Sequence, residues 1–143
     1  MQTTQSLKLP QCSTYYLFPI ANNQKSSCRT LDKLVNNIIN VLSDFEKEKL
    51  LIAVINNKNS KRKIILKILK NFELPKVIRE VVQSHHFDDD IFQLIRSSND
   101  FHAIDMAIAT NKLSKLSLIS LGNHENEWIR KHALAKLSRG LWE

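Results

Sequence analysis

An acid or amide followed by an aromatic recurs four times along this chain: Asp44-Phe45, Asn71-Phe72, Asp100-Phe101 and Glu127-Trp128. The aromatics stand 27, 29 and 27 positions apart. Behind each comes an apolar set with helical spacing. The first is Leu50, Leu51, Val54 and Ile55, and the second Val77, Ile78, Val81 and Val82. The third is Ile104, Ala107 and Ile108, and the fourth Ile129, Ala133, Leu134 and Leu137. Residues three or four apart share one face of a helix, so each set predicts one buried stripe. Ahead of each dipeptide lies a second helix-sized apolar run: "LDKLVNNIINVL" (31–42), "RKIILKIL" (62–69), "DIFQLIRS" (90–97) and "KLSKLSLISL" (112–121). "NNKNS" (56–60), "QSHHFDDD" (83–90) and "GNHENE" (122–127) have turn composition.

A lone amphipathic hairpin of this size cannot bury both its faces, whereas hairpins stacked in register can. The predicted fold is therefore all-α: a short right-handed α-solenoid of about four helical hairpins over residues 29–143. Residues 1–28 form a polar N-terminal extension or cap, with one apolar knot, Tyr15 to Ile20, suited to covering the open end of the first hairpin. The repeated dipeptide has a physical task. Asp or Asn ahead of a helix accepts hydrogen bonds from first-turn N–H groups, worth about 1 kcal/mol. The aromatic beside it is expected to anchor the helix entrance in the core. Glu127 caps poorly, which points to Asn126 for the last helix. Trp128 takes the core slot of Phe45, Phe72 and Phe101, leaving Trp142, which has no repeat equivalent, as the exposed aromatic.

The stretch "NHENEWIRKHALAKL" (123–137) resembles the second helix of HEAT-type and leucine-rich-repeat-variant units. There an acidic turn precedes a β-branched residue, an Arg and small apolar positions, here Glu125, Ile129, Arg130, Ala133 and Leu134. "ATNKLSKLSLISL" (109–121) is similar to the inter-repeat stretch of the variant class, so the resemblance covers residues 100–140. It implies a HEAT-like solenoid that serves as a scaffold for proteins or, in some relatives, grips nucleic-acid backbones.

Composition narrows the function classes. Hydrophobic residues make up 43% of the 143 positions, enough for a core. Two Gly and three Pro are too few for a turn-rich all-β fold or a glycine cradle around phosphates. The opening "MQTTQSLKLPQC" does not read as a secretory signal, and no run of 18 apolar residues predicts a membrane span. A cytoplasmic protein is the expectation. Cys12 and Cys28 could pair, but a reducing compartment keeps both as thiols. No nucleophile elbow, P-loop or paired-Cys zinc spacing is present, so no enzyme, cofactor, metal or small-molecule substrate is expected. Asp100 with His102, or Asp105 with His132, could meet in space as helical repeats bring such pairs together.

The formal charge of +7 permits an acidic protein, a nucleic acid or an anionic surface as partner. The leading expectation is a non-enzymatic interaction module, an adaptor, inhibitor or immunity-type protein that meets an acidic patch on a partner protein. Inner helices of stacked hairpins commonly line a groove, which nominates Lys47, Lys49, Lys76, Arg79 and Arg130 as contacts. The alternative is a nucleic-acid backbone binder. Lys58, Lys61, Arg62, Lys63, Lys67 and Lys70 put six cations in 13 residues with no acid among them. Lys63, Lys67 and Lys70 fall at i, i+4 and i+7, one stripe able to neutralise phosphates. Residues 71–100 hold 3 Lys or Arg against 6 Asp or Glu, which interrupts any continuous basic track and favours protein. "SHHFDDD" (84–90) contains metal-ligand types, but its carboxylates are better placed to favour the next helix's N-terminus.

Overall fold

The computed structural model describes residues 13–41 and 43–142. The polar stretch through Cys12, together with Leu42 and Glu143, lies outside the described residues. Among the described residues there are nine helices and no strand. In chain order they are α1 (Ser13–Asn22), α2 (Cys28–Val41), α3 (Asp44–Asn56), α4 (Arg62–Asn71), α5 (Pro75–Gln83), α6 (Asp89–Ile95), α7 (Phe101–Ala109), α8 (Lys115–Leu121) and α9 (Glu127–Arg139). The all-α class read from the periodicity stands.

Local chemistry explains where these helices start. Ser43 caps α3 by accepting from Glu46 N–H, and its hydroxyl donates to the Glu46 carboxylate at 3.0 Å, which holds that side chain at the helix start. Asp88, Ser114 and Asn126 cap α6, α8 and α9 by accepting from the N–H groups of Ile91, Ser117 and Ile129. Pro75 occupies the first position of α5, where its missing N–H costs nothing. Gly140 closes α9 in the left-handed region at φ 71°, which a side chain rarely adopts.

The dipeptide series behaves differently from the sequence expectation. Ser43, not Asp44, caps α3, and Asn71 is the last residue of α4 rather than the cap of α5. Asp100 stands at the N-cap position of α7 without a side-chain capping bond, while Asn126 does cap α9. Nor do all four aromatics enter the core. Phe72 is 7% exposed, but Phe45 is 64% and Trp128 68% exposed. Trp142, expected to be the open one, is half-buried with the Lys115 ammonium 5.3 Å from its ring centre. The reason is positional. Phe72 is the C-cap of α4, its N–H bonded to the Ile68 carbonyl, whereas Phe45 and Trp128 sit in the first turns of α3 and α9, away from the apolar stripes that follow them.

The chain divides between Glu80 and Val81, inside α5, into two compact units. In the first, α1 packs on α2 and α3, α2 on α3, and α2 on α4. Its core is Leu17 and Ala21 of α1, Leu31, Leu34, Val35 and Ile38 of α2, then the stripes Leu50, Leu51, Val54, Ile55 and Ile64, Ile65, Ile68. In the second unit α9 packs on both α7 and α8. Ile91, Phe92, Ile95, Ile104, Ala107, Ile108, Leu118, Leu121, Ile129 and Ala133 supply its interior. Among the described residues no helix is long and apolar enough to cross a membrane.

Candidate functional site

In the first unit the surface chemistry is organised by two turns. The Asn57 amide, 1% exposed, donates to the carbonyls of Ala21 at 2.8 Å and Asn23 at 2.9 Å. The Asn59 amide donates to Gln24 and Ser26 carbonyls at 2.7 and 2.8 Å. Four bonds thus stitch the turn between α3 and α4 onto the turn between α1 and α2. The two turns are built alike, since the hydroxyls of Ser26 and Ser60 each donate to the carbonyl six residues back, Ile20 and Val54. On these turns and the helix starts beyond them, Lys25, Arg29, Lys58, Lys61, Arg62 and Lys63 are exposed.

The stripe read on α4 is not uniform. Lys63 and Lys70 are exposed, but Lys67 is drawn inward, with its Nζ 2.7 Å from Asp32 Oδ1 and 3.0 Å from Asn36 Oδ1 on α2. Lys67 therefore ties two helices together.

The predicted protein-contact lysines gather on α3 and α5. Lys49 lies over the exposed ring of Phe45, 4.2 Å from its centroid, a cation–π arrangement one turn apart. Lys76 of α5 sits 3.9 Å from Glu48 of α3, and the Asn56 amide donates to Glu80 at 3.1 Å. Lys47 and Arg79 are half-buried. This face is mixed in charge, with an aromatic standing out of it.

In the second unit Arg130 is a brace. Its guanidinium donates to the carbonyls of His124 at 2.7 Å and Glu125 at 3.0 Å, closing the turn that precedes its own helix. His124 meets Phe101 edge-on at 5.2 Å. His132 Nδ1 and Asp105 Oδ1 are 2.6 Å apart, joining α9 to α7, so that suspected pair does form.

Asp89 is the organiser of this unit. Its carboxylate accepts from Ser114 N–H at 2.8 Å and the Ser117 hydroxyl at 2.7 Å, binding the start of α6 to the start of α8. Burial raises its pKa, but the hydrogen bonds from the Ser114 backbone, Ser117, the Ser114 hydroxyl and Gln93 outweigh it and hold the carboxyl below its ordinary value. An open pocket of about 390 Å³ beside it is lined by Phe87, Asp88, Asp89, Asp90 and Lys112. The rings of His85 and His86 lie 4.0 Å apart against each other. Among the described residues no three His, Cys, Asp or Glu side chains converge as metal ligands.

Sequence reasoning missed the roles of Asn57, Asn59 and Asp89. A signal was present for the first two. "NNQKSS" (22–27) and "NNKNSK" (56–61) share Asn-Asn and the Ser three positions after it, and a repeated Asn-Asn turn marks a repeated backbone shape. No family model, curated protein or solved structure is significantly similar to this chain.

Proposed function

We propose that this protein is a non-enzymatic interaction module, of the adaptor, inhibitor or immunity type, that presents a surface of HEAT-like helical hairpins to an acidic segment of a partner protein. The exposure of Phe45 and Trp128, at 64% and 68%, carries the reading. Each is the second residue of its helix, and each has a cation within about one turn, Lys49 and Lys131 respectively. Large aromatics beside cations are the residues that most often anchor an interface, because they fill a pocket at small entropic cost. Lys49 over Phe45 and Lys76 beside Glu48 give the α3–α5 face a polar rim around such an anchor.

Hairpin stacking is supported within each unit by contacts between helices two apart in sequence: α1 with α3 and α2 with α4, and separately α7 with α9. Contact between equivalent helices of neighbouring repeats is how stacked hairpins bury their second faces.

The test is affinity capture of partner proteins by the full chain, set beside Phe45→Ala/Lys49→Ala and Trp128→Ala. A partner held by the wild-type chain and lost by one variant, with unchanged thermal unfolding, supports the reading. Equal recovery by all three chains overturns the assignment of these aromatics.

A further inference from the structure

We propose that the first unit carries a second, chemically different surface: a cationic edge, formed by Lys25 and Arg29 from one turn and Lys58, Lys61 and Lys63 from the next, that grips the phosphodiester backbone of a nucleic acid. The edge exists because Asn57 and Asn59 fasten the two turns together. Lys25 lies between Gln24 and Ser26, whose carbonyls accept from Asn59, and Lys58 lies between the two asparagines. Cations 33 residues apart in sequence are thereby held on adjoining turns.

Residues 22–31 and 56–71 contain eight Lys and Arg and no Asp or Glu. The carboxylate that follows the first stretch, Asp32, is already engaged by Lys67. Five of the eight, the ones named in the proposal, are exposed and enter no ion pair among the described residues.

The class of partner follows from what accompanies the charge. Among the described residues the exposed large apolar ones are Phe45, Leu94, Leu116, Ile119, Trp128 and Leu134, and none lies in either stretch. A protein partner gains most of its affinity from a buried apolar or aromatic anchor, which this edge does not offer. A polyanion requires none, since each neutralised phosphate releases condensed counterions. Exposed lysines act there as point charges, and without aromatics to stack bases the edge reads backbone and not sequence. Phe45 stands in the first turn of α3 and Lys58 follows its last, so the two surfaces lie at opposite ends of that helix and the two proposals stand or fall independently.

The experiment is fluorescence anisotropy of the full chain with labelled single- and double-stranded oligonucleotides of two unrelated sequences, across a salt series. Binding should be alike for both sequences and weaken steadily with salt. Lys25→Gln/Arg29→Gln and Lys58→Gln/Lys61→Gln should each weaken it by about tenfold or more and flatten the salt slope by roughly one per contact removed. Lys49→Gln/Lys76→Gln, on the other face, should leave it unchanged. Circular dichroism melts check that every variant is folded, and single Lys25→Gln and Lys58→Gln substitutions replace any double that is not. Loss on changing Lys58 and Lys61 with none on changing Lys25 and Arg29 overturns the composite edge. Equal binding to polyglutamate or to vesicles rich in anionic lipid, or no binding at about 150 mM salt, overturns the nucleic-acid assignment.

Discussion

Lys67 Nζ on α4 lies 2.7 Å from Asp32 Oδ1 on α2, and the same ammonium reaches Asn36 Oδ1 at 3.0 Å. Periodicity along α4 puts Lys63, Lys67 and Lys70 on one stripe. It cannot tell which member meets a carboxylate from the neighbouring helix. The middle one does, so a run of like charge on paper is a helix-to-helix tie flanked by exposed cations.

Replacing Asp32 with Asn should therefore act in two directions. Loss of this partly exposed pair should cost about 0.5–1 kcal/mol in urea denaturation. Release of Lys67 and removal of a negative charge should raise affinity for an oligonucleotide a few-fold. Lys67→Ala should cost similar stability yet change that affinity less than Lys58→Ala. A larger loss from Lys67→Ala would mean that the paired lysine is itself a phosphate ligand.

Asn57→Ala should be among the most damaging polar substitutions. The side chain is buried, donates to Ala21 and Asn23 carbonyls, and accepts from Asn59 N–H at 2.9 Å. Removing it strands buried backbone groups, for roughly 2–4 kcal/mol by chemical denaturation. Asn59→Ala, with its amide nearer solvent, should cost less. A neutral Asn57→Ala would show that water replaces those bonds without penalty.

Three of the repeat's aromatics should separate into two classes on truncation. Phe72→Ala removes a ring that is 7% exposed and should cost about 3–5 kcal/mol. Phe45→Ala and Trp128→Ala should stay within about 0.5 kcal/mol, because their rings are largely in water already. Thermal unfolding of the three variants decides it, and a large loss at Phe45 would contradict its placement outside the core.

That contrast shows what was legible beforehand. The buried stripes of α3, α5, α7 and α9 are written in the spacing of Leu50, Val54, Val77, Val81, Ile104, Ala107, Ile129 and Ala133, all of them buried, but Leu134, which its spacing also assigned to the stripe of α9, is 52% exposed. Hydrophobic period reports which face turns inward, and that information is local. The fate of a residue at a helix entrance is not local. Phe45 and Phe72 share a sequence slot, but one begins a helix and the other ends one, because Pro75 sets the start of α5 three residues later than the pattern suggested. The candidate surfaces were legible only in part for the same reason. Lys58 to Lys63 announce themselves as a run, but Lys25 joins them only through the tertiary bonds of Asn59. Arg130, which looks like a contact residue, is used to close its own turn.

Asp89 gives the pH dependence its sign. Its folded pKa is held below the ordinary 3.8, because four hydrogen bonds to the charged form outweigh burial. A group depressed in this way binds fewer protons folded than unfolded, so its contribution is fully present above the unfolded pKa and is lost as pH falls through the folded one. Asp89→Asn keeps an acceptor oxygen and removes the titration. The stability gap between wild type and Asp89→Asn should therefore be constant above about pH 5 and close progressively below about pH 4. Chemical denaturation of both chains from acid to neutral pH reads this directly, and the other carboxylates, common to both, cancel in the difference. A gap that persists unchanged at the acid end would mean that the oxygen's position, and not its charge, joins the start of α6 to the start of α8.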